Sequence, residues 1–238
     1  DSAFTSFGKA DHPSLHADLV DLLKREINPA IQEYKLYLET EYLSAAREDV
    51  AAKSLPSGEA CYAASSRYFI TAKLEAKEIH DLGLTQMSVI RAQLREIGER
   101  SFATSDPAEV LRIVKEEPEH RFTSREEIIQ AAEKATARAE AELPNWFGLV
   151  PEMKVEVVPY PAYQEKSAPL GQAISASEDG TRPGQYIINT YQPTTQSKSF
   201  IESLSFHEAH PGHLFQGYVA QAGEQTHPIS SYFYFSGF

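Results

Sequence analysis

The stretch SFHEAHPGHLFQ, residues 205–216, decides how this chain is interpreted. It begins like HExxH, a motif in which two histidines four residues apart on one helix face bind zinc and the glutamate acts as general base. Here His207-Glu208 opens the motif correctly, but position 211 is Pro211 and His213 follows six residues after His207. The chain is therefore either a metal-dependent enzyme with an unusual spacing or a protein with polar residues at a helix end.

The spacing shows that a regular helix could not direct both His207 and His213 at one ion. Six residues at about 100° each place His213 about 120° away from His207 around an ideal helix. Pro211 cannot occupy an undistorted helix interior, and Gly212 permits backbone angles closed to other residues. The Pro-Gly pair therefore predicts a bend that returns His213 to the metal. His210, three residues after His207, is the competing ligand and needs no distortion.

The residues around the motif favour a buried site. Apolar residues before it predict a buried helix, and burying a glutamate and histidines beyond that helix is costly without a partner. Gln216, one turn after His213, either orients a ligand or is a solvent-facing polar residue. Without a metal, the histidines would be surface residues or core groups with satisfied hydrogen bonds. The apolar residues before the motif are Phe200, Ile201, Leu204 and Phe206.

Composition limits the possible partners. The chain has 238 residues, 42% of them hydrophobic, and a formal net charge of −12. Such an acidic chain repels phosphate backbones, so nucleic acid is not an expected partner. We expect no transmembrane segment, because no apolar run approaches the roughly 20 residues needed.

Cys61 is the single cysteine and is expected to pack as an ordinary thiol. The first residues of the chain do not resemble a signal peptide.

The pattern of apolar residues predicts a helical region over 1–143, followed by a small β-sheet and the motif helix over 144–238. We expect these two regions to form one continuous domain that is incomplete at both ends. Pro29 is expected to start or kink a helix, Gly83 to end one, and Ser124-Arg-Glu-Glu127 to form a capping box. After residue 144, prolines become frequent, and strands are expected at Val155–Val158 and Tyr186–Thr190.

Several stretches together resemble one known family. HEAHPGHLFQ is similar to the HExxPGHxxQ signature of the bacterial family catalogued as domain of unknown function 885, whose members resemble zincin metallopeptidases. LPSGEACYAASSRYFITA and AKEIHDLGLTQMSVIRAQL resemble a further stretch of that family, and VEVVPYPAY with DGTRPGQYIINTY resembles the segment before the motif helix. The resemblance covers nearly the whole chain, and the order of the stretches makes it specific.

The resemblance implies a mainly α, gluzincin-like helical metallopeptidase fold with a small β-sheet next to the motif helix. It implies a zinc ion with His207 and His213 as ligands and Glu208 as the catalytic base. His210 falls on a variable position of the signature and ranks below them. Leu214 replaces a second adjacent histidine found in many relatives. Many relatives look exported, which favours a periplasmic or secreted location.

The third zinc ligand is the open part of this interpretation. Family members are roughly twice as long and carry an E-G-W segment after the motif, whose glutamate resembles a third ligand. Glu224 is the only acid downstream of the motif in this chain and a weaker candidate for that role. The chain is therefore expected to be a fragment whose partner is the remainder of its parent chain.

The expected substrate is a peptide or a small amide, cleaved in the manner of a carboxypeptidase or an oligopeptidase. By analogy with zincins, the strand Tyr186–Thr190 would be an edge strand that pairs with substrate, with Asn189 and Tyr186 holding it. Arg182 would pair with a substrate carboxylate, or be an ordinary loop arginine. The candidates for an oxyanion donor are Tyr160, Tyr163 and Tyr191, each of which can instead simply pack. Two other interpretations stay open: a zinc hydrolase of a non-peptide amide or ester, and a non-catalytic helical binding module.

Overall fold

A computed structural model describes residues 12–150, 152–177 and 181–222. The chain divides into two units, which comprise residues 12–76 and 77–222 of the described part. Both are mainly helical, and the second contains a small three-stranded sheet. The change of composition near residue 144 falls inside the second unit, where a long helix gives way to this sheet.

The first unit begins with helices that follow one another without a break. Pro29 does not end this helical run, since the residues on both sides of the preceding π-helical turn, Leu22 and Asn28, have α-helical backbone angles. Pro29 has no N–H to donate to the preceding turn, and the π turn before it changes the hydrogen-bond pattern there, so the helix continues past the proline. The elements are α1 (Pro13–Leu22), a π turn (Leu23–Ile27), α2 (Asn28–Tyr37), a π turn (Leu38–Tyr42), α3 (Leu43–Ala45), a 3₁₀ turn (Ala52–Ser54) and α4 (Gly58–Ile70).

The helices of the second unit carry and support the motif. They are α5 (Ala76–Ser101), α6 (Pro107–Glu116), α7 (Arg125–Trp146), α8 (Ile201–Glu208) and α9 (His213–Ala222). The prediction that Gly83 ends a helix is wrong, because α5 continues through it. The residues around Gly83 are mostly good helix formers, and together they outweigh the roughly 1 kcal/mol that one interior glycine costs.

The start of α7 confirms Ser124 as the predicted cap, while Glu127 reaches one residue further back than in a standard capping box. The Ser124 hydroxyl accepts a hydrogen bond from the Glu127 N–H at 3.1 Å. The Glu127 carboxylate accepts from the backbone N–H and the hydroxyl of Thr123, both at 2.7 Å. A further ion pair of 2.8 Å joins Glu127 to Lys198, just before α8. This cap therefore connects the segment leading into the motif helix to the start of α7.

The sheet contains β1 (Val155–Pro159), β2 (Gly171–Ile174) and β3 (Gly184–Ile188) in the order β1-β3-β2. β3 is parallel to β1, with Val157 opposite Tyr186, and antiparallel to β2, with Gly171 opposite Ile188. The predicted strands at 155–158 and 186–190 are thus present in slightly shifted form. The prediction that the second of them lies at the edge is wrong, because both of its sides are paired. The edge strand β2 was not predicted.

The core of the second unit lies between α7, the sheet and the motif helices. Its buried members are Phe122, Ile128, Ala132, Tyr186, Ile188, Ile201, Ala209 and Leu214. Arg138 of α7 also contacts α8 at the surface, through an ion pair of 2.8 Å with Glu202 and with its guanidinium 5.7 Å from the centre of the Phe206 ring. These contacts fix α8 against α7 and so position its last turn.

Within the described residues, no helix combines the length and the apolar character needed to cross a membrane.

Candidate metal centre

The motif is divided between two helices. α8 ends at Glu208, and Ala209 leaves the helical region with φ −102° and ψ −90°. A turn with a cis His210–Pro211 peptide bond follows, and α9 begins at His213. The bend predicted from Pro211 and Gly212 is therefore present, and His207 and His213 lie at facing ends of two helices.

Gly212 makes this tight return possible. A Cβ atom at this position would overlap the carbonyl group of His207 and would lie 2.5 Å from the carbonyl oxygen of Phe206. Only glycine leaves room for the backbone of the turn to come this close to the end of α8. The residue therefore sets the distance between the first histidine and the second.

The bend brings three potential ligands together. One nitrogen each of His207 and His213 and one carboxylate oxygen of Glu208 all lie within 4.8 Å of one another. The two imidazole rings are 4.7 Å apart between centroids and stand at 84° to each other. Ligands of one tetrahedral zinc ion, each about 2.1 Å from the metal, are separated by about 3.4 Å, and two imidazoles with a carboxylate suit zinc chemically. The donor set and its spacing therefore fit a zinc ion after small side-chain adjustments.

Glu208 is the buried member of this cluster. It is 7% exposed, and no described residue gives it a hydrogen bond or an ion pair. A Cβ on Gly171 of β2 would lie 3.3 Å from its Cγ, so the edge strand directly supports the side chain. A carboxylate placed here is close enough to bind an ion or to accept a proton from a water molecule bound to that ion.

The charge of Glu208 also acts on two buried tyrosines. Burial raises the pKa of Tyr186 to about 12; the Ser205 hydroxyl counteracts the rise, and the Glu208 carboxylate adds to it. Burial raises the pKa of Tyr160 as well, with a smaller contribution from Glu208. Both phenols therefore keep their protons at neutral pH.

His210, the competing ligand, is not brought to the cluster. It is fully buried, and within the described part of the chain neither of its ring nitrogens has a hydrogen-bond partner. Burial lowers its pKa, and the charge of Glu140 partly offsets this effect. His210 follows the end of α8 at Glu208 and is not among the residues whose ligand atoms cluster.

Of the predicted substrate-binding residues, Tyr186 lies beside Glu208, since both side chains pack against Gly171, whereas the side chain of Asn189 is engaged elsewhere. The Asn189 amide donates to the carbonyl oxygens of Glu165 at 2.8 Å, Ala168 at 3.1 Å and Pro169 at 3.3 Å. Its oxygen accepts from the Tyr191 N–H at 2.9 Å. The side chain of Asn189 therefore holds the loop before β2, and its hydrogen-bonding groups are already occupied.

Tyr186 and Arg182 differ sharply in exposure. The Tyr186 phenol oxygen is buried and has no hydrogen-bond partner within the described ranges. The Ser205 hydroxyl donates to the Ile201 carbonyl at 2.8 Å. Arg182 is exposed in the loop before β3, where its N–H bonds to the Ser177 hydroxyl at 2.9 Å. Glu224 lies outside the described residues.

Of the three candidate oxyanion donors, the structure places Tyr160 nearest to the supporting strand of the site. Its hydroxyl donates to the side-chain oxygen of Gln172 at 3.3 Å, and Gln172 follows Gly171 on β2. Tyr163 is exposed and Tyr191 half-buried; Tyr191 bonds through its hydroxyl to Gln192.

Sequence reasoning missed a residue that positions α9. The Tyr218 hydroxyl donates to the Lys154 carbonyl at 2.6 Å and accepts from the backbone N–H groups of Lys154 at 3.2 Å and Gly184 at 3.1 Å. These bonds join the helix that begins at His213 to β3 and to the residue before β1. A lone tyrosine on an amphipathic helix carries no sequence signal for this role.

The comparisons with known proteins give a family and a structural relative. Among solved structures, the chain is similar to the crystal structure of a "putative lipoprotein" from Colwellia psychrerythraea, with 26% sequence identity and a TM-score of 0.82. The match covers 88% of this chain and 37% of that chain, so this chain spans well under half the length of the solved protein. No curated protein matches the chain. The family model described as "Bacterial protein of unknown function (DUF885)" matches residues 1–238, and the chain therefore belongs to this bacterial family.

Proposed function

We propose that this chain carries the zinc centre of a hydrolase that cleaves peptide bonds. The observation that carries the proposal is the convergence of His207, Glu208 and His213, whose ligand atoms lie within 4.8 Å of one another despite their unusual spacing. Bound there, zinc would supply a Lewis acid that lowers the pKa of a bound water towards neutrality and polarises a carbonyl oxygen.

The residues of the chain have distinct parts in this proposal. His207 and His213 hold the ion from two helix ends. Glu208 accepts the proton of the attacking water and later delivers it to the leaving amine. The backbone of β2 packs closely against Glu208 at Gly171, where an added Cβ would lie 3.3 Å from its Cγ, and a general base held in a packed position is more effective than a mobile one.

The sheet offers a place for a peptide substrate. β2 is an edge strand, and its first residue, Gly171, is the one that contacts Glu208. An extended peptide that adds to a sheet edge gains main-chain hydrogen bonds along its length. A peptide added there would lie about 4.8 Å from β2 in the plane of the sheet, whose face Glu208 packs against at Gly171. This arrangement is our reason to favour a peptidase over a hydrolase of small esters.

Two further parts of the proposal concern the whole protein. The solved relative is much longer than the matched region, and we propose that a corresponding remainder of the natural protein completes the zinc site with a further ligand. Since that relative is described as a "putative lipoprotein", we also propose a location outside the cytoplasm.

The test is the zinc content of the purified protein after dialysis, measured by elemental analysis. In the natural protein, which contains this chain and its remainder, we expect about one zinc per molecule, lost in His207→Ala and in His213→Ala and retained in His80→Ala, an exposed histidine of α5. Glu208→Gln should keep the metal and lose peptide hydrolysis. Zinc that survives both cluster substitutions, or hydrolysis that survives Glu208→Gln, would refute the proposal.

A further inference from the structure

A second feature of the same unit is a cavity of about 630 Å³ near the start of α8. Its walls are mainly apolar and come from α6, the end of β3 and the first turns of α8, with Leu111, Phe122, Ile188, Phe200 and Leu204 among them. The volume falls in the range of about 300–1,000 Å³ that small-molecule sites occupy. The cavity is thus large enough for one apolar group and its polar attachments.

Positive charge lines this apolar cavity. Lys115 and Lys166 are both in its wall, and no described carboxylate forms an ion pair with either of them. Glu165, also in the wall, is held by two hydrogen bonds of 2.8 Å from Arg125. These bonds lower the pKa of Glu165, and Lys166 adds a smaller effect in the same direction. With that carboxylate neutralised by Arg125, two ammonium groups remain available in a chain whose net charge is −12.

Most other polar groups of the wall are already bonded within the protein. The Gln196 amide donates to the carbonyl oxygens of Asn189 at 3.0 Å and Tyr191 at 2.8 Å. The Ser197 hydroxyl donates to the Val114 carbonyl at 2.6 Å. A ligand would therefore meet apolar side chains and ammonium groups, a combination that favours an apolar molecule with a negative charge.

The cavity lies next to the candidate catalytic carboxylate. Leu204 is in its wall, and a Cβ on Gly171 would touch both Leu204, at 3.2 Å, and Glu208, at 3.3 Å. Leu170, the residue before Gly171, also lines the cavity. The wall of the cavity thus ends one residue away from the contact that supports Glu208.

We propose that this cavity binds the C-terminal residue of a peptide that ends in an apolar side chain, with Lys115 and Lys166 binding the terminal carboxylate. The catalytic consequence rests on the proposed function: the scissile bond would be close to the C-terminus, and the enzyme would act as a carboxypeptidase. The binding itself needs no metal, because neither the two histidine ligands nor Glu208 lines the cavity.

The test is calorimetric titration of the full chain carrying Glu208→Gln, in the presence of a chelator. The probes are acetyl-Ala-Ala-Phe with a free carboxylate, the same peptide with a C-terminal amide, and decanoate. We expect the acid to bind about tenfold more tightly than the amide, with a preference that weakens at high salt. The double variant Lys115→Met, Lys166→Met should lose the preference, since methionine keeps the apolar stem without the charge. Lys134→Met, at an exposed lysine of α7 away from the cavity, should keep it.

Equal affinity for the acid and the amide, or a preference that survives the double variant, would overturn the inference. Binding of decanoate without binding of the peptide acid would also overturn it, and would identify the cavity as a lipid site. Because the titration is done without metal, a failed zinc test leaves its result unchanged. Conversely, zinc-dependent cleavage with no requirement for a free C-terminus would refute this inference alone.

Discussion

The carbonyl group of His207 occupies the space that a side chain on residue 212 would need, so the last turn of α8 and the start of α9 meet at Gly212. This contact explains how a six-residue spacing gathers two histidines that an ideal helix would separate. It also makes the geometry of the candidate metal centre depend on a residue that binds nothing itself.

Replacement of Gly212 by alanine should therefore disrupt both the turn and the metal site. We expect Gly212→Ala to lower the free energy of unfolding by about 3 kcal/mol, because the added Cβ overlaps backbone atoms that have little freedom to move. Gly83→Ala is the matched control, since nothing lies within 4 Å of a Cβ in that position and α5 is helical there. It should raise stability by about 0.5–1 kcal/mol. Urea unfolding measures both, and similar midpoints for the two variants would contradict the proposed role of Gly212.

Acid should destabilise the protein partly through Glu127. Three hydrogen bonds lower the pKa of Glu127 from an ordinary 4.5 to about 2. The bond from Lys198 has the largest effect, and the bonds from the Thr123 N–H and hydroxyl have smaller ones. A carboxyl whose pKa is lower in the folded state contributes stability that is fully present above its unfolded pKa and is lost as the pH falls from about 4.5 towards 2. The melting temperature of Glu127→Gln should thus fall less than that of the original protein between about pH 5 and pH 3. Glu133→Gln, an exposed residue of the same helix, should follow the original protein.

Removal of the Tyr218 hydroxyl should weaken the attachment of α9 to the sheet. Tyr218→Phe removes this partner from the Gly184 N–H and the Lys154 main chain, which still bond to each other at 3.0 Å, so we expect a loss of about 0.5–1.5 kcal/mol. Since α9 begins at His213, zinc should also dissociate faster from this variant. Tyr163→Phe, at an exposed tyrosine, serves as the control for both measurements. Unchanged stability in Tyr218→Phe would show that these hydrogen bonds do not fix the helix.

The Tyr186 hydroxyl should be dispensable for folding. It is buried without a described partner, so Tyr186→Phe removes a desolvated polar group and should be neutral or stabilising by up to about 1 kcal/mol. Tyr160→Phe is the comparison, because its hydroxyl does donate, to Gln172 at 3.3 Å, and its removal should cost about 0.5–1.5 kcal/mol. Thermal unfolding distinguishes them. A loss of turnover in Tyr186→Phe at unchanged stability would instead assign this phenol to the substrate.

Local chemistry explains which parts of the structure the sequence predicts. The bend at Pro211 and the cap at Ser124 follow from the missing N–H of proline and from the hydroxyl of serine, so both are readable within a few residues. The central position of β3 in the sheet cannot be predicted from neighbouring residues, because it depends on pairing with residues far away in the chain. β2 escaped prediction because Gly171–Ile174 has only four residues, and glycine, glutamine and alanine are weak strand formers.

In the candidate site too, features that depend on neighbouring residues are predictable from the sequence, and features that depend on distant contacts are not. His207, Glu208 and His213 were identified from residue type and from the expected bend, and the structure brings them together. Asn189 was placed among the substrate-binding residues, but its amide is used by three carbonyl groups of a loop that sequence alone does not locate. Gly171 and Glu208 pack together although they are 37 positions apart in the chain, so no local sequence pattern predicts their proximity.

The division of the motif between two helices has a mechanical consequence. In HExxH both histidines belong to one helix, so an ion adds no connection between separate elements. Here an ion bound by His207 and His213 would cross-link α8 to α9 across the turn at residues 209–212, and Tyr218 already ties α9 to the sheet. Metal binding would then fix the angle between the two helices, and part of its free energy would appear as resistance to unfolding. The melting temperature would accordingly report how much of the protein is loaded with metal.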